Sequence, residues 1–278
     1  MEIGVMFWAG DEPGETLRQV KSLGVRCGQL GVPGDLALDA ETTAAWKRAL
    51  ADEEFALVTV FAAFPGESYA DIPTVRRTAG FVPRLTRPQR EQRTYEISDF
   101  AAALGVSGIA CHVGCLPVDT SEPEYDAVRG LVQRVCDYCA QLNQTFALET
   151  GQEPAAVLLR FVQDVDRPNL RINFDPANMI LYGSGDPIEA LDALGPLVIS
   201  VHVKDAEWPP AGSPGALGAE MPLGEGAAGI ARFLAKLHQI GYTGTLNIER
   251  EAGDEKRRAE DIREAVALLE RLQAGLRP

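Results

Sequence analysis

Four apolar runs in the second half of the chain each stop on a polar side chain. They cover residues 145–149, 170–175, 197–205 and 245–249, and they deliver Glu149, Asp175, His202 and Glu249. Short runs that are apolar at nearly every position and rich in β-branched residues are strands buried on both faces, a property of parallel sheets. Helices cover both faces of such sheets, so ligands bind beyond the carboxyl ends of the strands. The four polar residues are therefore expected on one rim.

Three carboxylates and one imidazole suit a single divalent cation (Mn, Mg, Co or Zn), with coordination positions left for a chelating substrate. Carboxylates crowded together repel one another unless a cation lies between them. One Asp or Glu ending a strand is explained equally well as a helix N-cap. Recurrence at four successive strand ends, including one of only three histidines in the chain, is what points to a metal.

In chain order, strand patterns at 3–8, 25–32, 55–64 and 108–113 precede those four, and the fourth carries His112 at its end. Helical periodicity is expected over 15–23, 40–52, 88–104, 122–142, 154–165, 187–194, 230–240 and 255–276. Gly24, Gly105 and Gly241 stop three of these helices. Residues 65–84 have the Gly, Pro and polar content of a long loop, either an active-site cover, the preferred reading, or a mobile insertion. Residues 176–185 read as a loop with one helical turn, and 207–226 as a Gly- and Pro-rich excursion. Eight βα units in 278 residues predict an α/β fold, a single (β/α)8 TIM barrel with its site among the loops after the strands. An open doubly wound sheet fits less well, because the first βα turn lacks a Gly-x-Gly-x-x-Gly phosphate cradle.

Asp and Glu number 40 against 26 Lys and Arg, giving a net charge of -14. That balance disfavours nucleic-acid phosphate and anionic membrane as partners. No basic-then-apolar leader opens the chain, and no apolar run approaches membrane-spanning length, so a cytoplasmic protein is expected. Five cysteines, an odd number in a large domain, suit free thiols. Cys136-Asp137-Tyr138-Cys139 has metal or redox spacing but falls on a helix with no second ligand pair nearby, so it is read as structural.

Leu148-Glu149-Thr150, Asn173-Phe174-Asp175-Pro176, His202-Val203-Lys204-Asp205, Pro222-Leu223-Gly224-Glu225-Gly226 and the stretch from Gly241 to Glu251 together resemble a known family. It is the xylose isomerase-like TIM-barrel superfamily of sugar isomerases and epimerases, in the branch typified by D-tagatose 3-epimerase and inosose dehydratase. The resemblance implies one barrel domain over 1–278, with Glu149, Asp175, His202 and Glu249 as metal ligands and Glu149 and Glu249 doubling as the acid/base pair. Two departures bear on the substrate. Asn178 stands where these epimerases have a histidine, and the arginine expected after the strand-seven histidine is missing, its place falling near Trp208.

The activity so implied is metal-dependent isomerisation or epimerisation of a ketose or keto-sugar through an enediolate. The same first half-reaction also permits a lyase of the inosose dehydratase or keto-glycoside cleaving type. A sugar-binding or regulatory protein that retains the pocket is the non-enzymatic alternative. Endonuclease IV shares the superfamily, but a multi-metal DNA-repair site needs more than three histidines. A sugar is the expected small-molecule partner, with self-association implied by analogy. His112 and Asn178 are expected to contact its hydroxyls and Lys204 to orient one of its oxygens. Trp8 and Trp208 are expected to wall its C–H face. For His112 a satisfied core histidine, for Lys204 a surface lysine and for Trp8 barrel filling are the competing assignments.

Overall fold

A computed structural model describes residues 1–276. The barrel strands begin with β1 (Ile3–Trp8), β2 (Cys27–Val32), β3 (Ala56–Ala62) and β4 (Gly108–Cys111), and continue with β5 (Thr145–Glu149), β6 (Leu170–Phe174) and β7 (Val198–Val203). A small antiparallel hairpin, β8 (Asp205–Glu207) and β9 (Ala219–Met221), precedes the eighth barrel strand, β10 (Leu246–Ile248). Every pairing between barrel strands is parallel, and β10 closes onto β1, with Ile3 opposite Leu246 and Val5 opposite Ile248. Closure removes the sheet edges and defines an inside.

Ten helices are found among the described residues: α1 (Pro13–Lys21), α2 (Ala40–Asp52), α3 (Ile72–Thr78), α4 (Arg87–Ala103), α5 (Pro123–Gln141), α6 (Ala155–Val165), α7 (Pro176–Tyr182), α8 (Pro187–Leu194), α9 (Ile230–Gln239) and α10 (Glu255–Leu276). Their apolar stripes pack on the outside of the barrel. On α6, Leu158, Phe161, Val162 and Val165 recur at helical spacing and are buried. Trp46 of α2 is wholly buried. Inside the barrel, Met6, Phe61, Ala110 and Ala147, with Ile199 against them, make a separate small apolar cluster. No helix among the described residues is long and apolar enough to cross a membrane, and all five cysteines are free.

Three loops differ from the sequence reading. The 65–84 segment contains α3, started by Asp71, whose carboxylate accepts the Thr74 amide at 2.7 Å, and by proline in its first turn. Its short length and polar content hide its period. The 176–185 segment holds two turns of helix, because Asp175 caps α7 through the Asn178 amide at 2.9 Å. The 207–226 excursion carries β9, which returns to pair with β8.

Two buried polar anchors hold the loops over the strand ends. The Arg90 guanidinium, 2% exposed, donates to the carbonyls of Thr78 (2.6 Å), Gly80 and Pro65 (3.4 Å), fixing both arms of the 65–84 segment. Gly80 lies against the end of β4 with φ 62°, where an added Cβ would sit 2.1 Å from the Val113 carbonyl, so only glycine fits. The Asp205 carboxylate accepts from the amides of Ala206, Gly224 and Ala228 at 2.9 Å and Gly226 at 3.0 Å. A Cβ on Gly226 would meet Asp205 Oδ1 at 2.4 Å. Replacing Asp205 by alanine strands these donors. We expect Asp205→Ala to lower unfolding stability by about 2–4 kcal/mol, read from the urea midpoint at unchanged slope.

Candidate metal centre

Barrel closure brings the last four strand ends to one point. Glu149 ends β5, Asp175 and Glu249 lie one residue past β6 and β10, and His202 is the penultimate residue of β7. One ligand atom from each lies within 4.8 Å of all the others. His202 Nδ1 is 2.5 Å from Glu149 Oε1, 3.1 Å from Glu249 Oε2 and 3.9 Å from Asp175 Oδ2. Glu149, Asp175 and His202 are at most 1% exposed.

The two explanations for Asp175 prove compatible, one oxygen each. Oδ1 accepts the Asn178 amide and caps α7, while Oδ2 is buried with no hydrogen-bond partner. His202 Nδ1 is likewise buried and faces the Glu149 and Glu249 carboxylates. On its other side, His202 Nε2 lies 2.7 Å from Gln29 Oε1, which can only accept, so Nε2 keeps a proton and Nδ1 is the nitrogen that can give up its proton to a cation. An oriented imidazole, an unshared carboxylate oxygen and two further carboxylates at this spacing fit a divalent cation.

A polar layer beneath the cluster holds it in place. Gln29 Nε2 donates to Asn173 Oδ1 at 3.1 Å, Ser200 Oγ donates to the same oxygen, and Asn173 Nδ2 donates to Glu149 Oε1 at 3.2 Å. Sequence reasoning missed Gln29, Asn173 and Ser200. Their signal is an amide or hydroxyl in the middle of an otherwise apolar strand, which gains meaning only once closure makes that face the barrel interior.

Above the cluster lies a cavity of about 200 Å³. His112, Asn178, Lys204 and Trp8 line it, and Trp208, 43% exposed, does not. Trp208 directly follows the hairpin strand β8, and of the two tryptophans only Trp8 lines the cavity. Glu67 and Tyr69 from the cover segment, Tyr182 of α7 and Glu251 also line the cavity, and none was expected. All four lie outside strands, where no apolar periodicity marks them.

Charge in the cavity is arranged in pairs. His112 Nε2 is 2.8 Å from Glu149 Oε2, and Lys204 Nζ is 3.2 Å from Glu249 Oε2 and 2.5 Å from Glu251 Oε2. Burial alone would raise the Glu149 carboxyl, but His112 and His202 hold it down at about 2. Glu249 is likewise lowered by Lys204 and His202 against its burial. Asp175 is pushed up to about 8 by burial and by the Glu149 and Glu249 charges, against the pull of Lys204. Burial opposes protonation of His112, yet Glu149 raises it to about 9. His202 goes well above its ordinary value for the same reason, with Glu249 and Glu149 as the causes. Protons on His112, His202 and Asp175 thus offset the crowded carboxylate charge.

The sequence profile described as Xylose isomerase-like TIM barrel matches residues 17–272, and the chain belongs to this family. The crystal structure of a xylose isomerase domain protein from Planctomyces limnophilus is similar at 41% identity and a TM-score of 0.93, covering 98% of this chain and 97% of that one. A xylose isomerase-like TIM barrel protein from Mycobacterium smegmatis in complex with magnesium shares the fold at 18% identity and a TM-score of 0.73, with 99% and 98% covered. So does 3-keto-D-glucoside 4-epimerase from E. coli, at 17% identity and a TM-score of 0.70, with 97% and 99% covered. An uncharacterized protein of Methanocaldococcus jannaschii is 32% identical over 120 residues, which are 43% of this chain and 36% of that protein's length.

Two outcomes are expected in Mn²⁺ titration calorimetry. Gln29→Leu removes the partner that sets the His202 tautomer and should weaken Mn²⁺ binding about 10- to 100-fold with the fold intact. In the unsubstituted chain the ion must displace protons from Asp175 and His202, whose affinities for protons are raised. Binding should therefore tighten as pH rises from about 6 to about 9 and be lost on acidification.

Proposed function

We propose that the chain is a divalent-metal-dependent isomerase or epimerase acting on a small ketose or keto-sugar through an enediolate. One observation carries this reading: the two carboxylates nearest His202 Nδ1 have separate cationic neighbours, His112 for Glu149 and Lys204 for Glu249. Two such carboxylates are what abstraction of a proton on one side and its return on the other require. Epimerases of the same barrel, and a relative holding magnesium, support the assignment by likeness.

A divalent ion held by Glu149, Asp175, His202 and Glu249 would supply a Lewis acid for a carbonyl and its neighbouring hydroxyl, stabilising the charge left on deprotonation. The protein does the rest. Glu249 lines the cavity and is the more open of the pair, its side chain 10% exposed against 1% for Glu149. In this reading it takes the proton from the α-carbon, its neighbour Lys204 keeping it ionised beforehand. Glu149 returns a proton to the opposite face, resupplied by His112. Asn178, buried at the cavity wall, offers an amide to a hydroxyl, and Trp8 offers a flat apolar face to C–H groups.

Glu249→Gln removes the base and keeps the shape. Deuterium incorporation from solvent into a bound ketose, followed by NMR, should fall by about 10²–10⁴-fold with an unchanged circular dichroism spectrum. Undiminished exchange in this variant would refute the role of Glu249. Loss of water from the substrate in the unsubstituted protein would assign a lyase instead. Sugar binding with no exchange under any divalent ion would assign a binding protein.

A further inference from the structure

We infer that the cavity selects an uncharged polyhydroxy carbonyl compound and excludes phosphate esters and carboxylates, with Glu251 and Asp205 as the residues that impose the selection. The inference rests on the isomerase reading and names the substrate class of that site.

Among the described residues, Lys204 is the one lysine or arginine that lines the cavity. Its ammonium is held between Glu249 Oε2 at 3.2 Å and Glu251 Oε2 at 2.5 Å. An incoming anion would have to displace one of these carboxylates. The other basic side chain on the wall, His112, is bonded to Glu149. Arg250, next in sequence to Glu249, is drawn away by Glu220 at 2.7 Å and Asp261 at 2.8 Å. A bound divalent ion would not reverse the balance. Together with Lys204 and His112 it would be matched by Glu149, Asp175, Glu249 and Glu251, leaving no net positive charge for an anion, and the carboxylate of Glu67 on the wall lies 3.9 Å from Arg90.

The second observation is independent of the first. Phosphate-binding barrels commonly hold the phosphate on backbone amides of the loops after strands seven and eight. Here the loop after β7 turns three amides, of Gly224, Gly226 and Ala228, onto a single anion, and that anion is the protein's own Asp205 carboxylate. Asp205 is 1% exposed, and these amides are already engaged by its carboxylate. The loop after β7 therefore does not offer them to a phosphate.

The remaining wall is apolar or hydroxyl-bearing: Trp8, Tyr69, Tyr182, Leu217 and the amide of Asn178. These groups match the C–H faces and hydroxyls of a neutral sugar. A volume of about 200 Å³ falls below the ~300–1,000 Å³ of sites for drug-sized ligands, so the occupant is on the scale of a monosaccharide.

The test uses the Mn²⁺-loaded protein with a panel of free ketopentoses and ketohexoses and their terminal phosphates, read by calorimetric binding and by NMR exchange. Free ketoses should bind and exchange, and each phosphate should bind at least about tenfold more weakly than its parent. Glu251→Gln, a change at a half-exposed rim residue, frees Lys204 and should raise phosphate affinity about tenfold. Phosphates that bind as well as their parents, while the free ketoses still exchange, would overturn the selection and leave the isomerase reading standing. Phosphates rejected equally by Glu251→Gln and the unsubstituted chain would remove Glu251 from it. Neither binding nor exchange with any free ketose would sink both.

Discussion

Glu149, Asp175 and Glu249 are carried to within a few ångströms of one another, the first two buried and Glu249 partly so, at a point where solvent screens them little. Burying three carboxylates together is costly unless positive charge sits among them. The neighbourhood supplies it in graded form: His202 in the middle, His112 behind Glu149 and Lys204 behind Glu249. Asp175 Oδ2 and His202 Nδ1 converge on the same point, where a divalent cation would add more.

The barrel supplies rigidity for this concentration of charge. The layer of Gln29, Asn173 and Ser200 links β2, β6 and β7 through side-chain hydrogen bonds inside the barrel, directly beneath the ligands. Fixing the orientation of Glu149 and His202 from below leaves their outer atoms free for chemistry above. The loops are anchored by separate means. Arg90 and Asp205 each gather several backbone groups, so buried charge helps hold cover and rim alongside the packing of Phe64, Val75 and Phe81. The rim can thus change its lining while the centre beneath it is kept.

Lys204 shows how position converts an ordinary residue into a constrained one. It follows His202 by two residues, so the period of a strand places both on the inward face. There it is 3% exposed and meets carboxylates from the segment after β10. The same period places Glu251 beyond Glu249, with its carboxylate on Lys204. Charge on this wall is therefore set by strand register as much as by composition.

The strand ends were legible in the sequence because alternation and apolar runs are local: Glu149, Asp175, His202 and Glu249 can be found by asking where each buried run stops. The eight βα units, and the boundaries of α2, α8 and α10, follow from local periodicity and capping in the same way. Gln29, Asn173, Ser200, Glu67 and Glu251 were not legible. The first three matter because closure turns their side of the strand inward, and the other two because loops far apart in sequence meet over the rim. Trp208 lies outside the cavity lining, because closeness in sequence to His202 does not place a residue beyond β8 on the cavity wall. Sequence by itself determined which residues could be ligands; only the closed barrel decided that they share one point, since that depends on contacts between strands far apart in the chain, down to the pairing of Ile3 in β1 with Leu246 in β10.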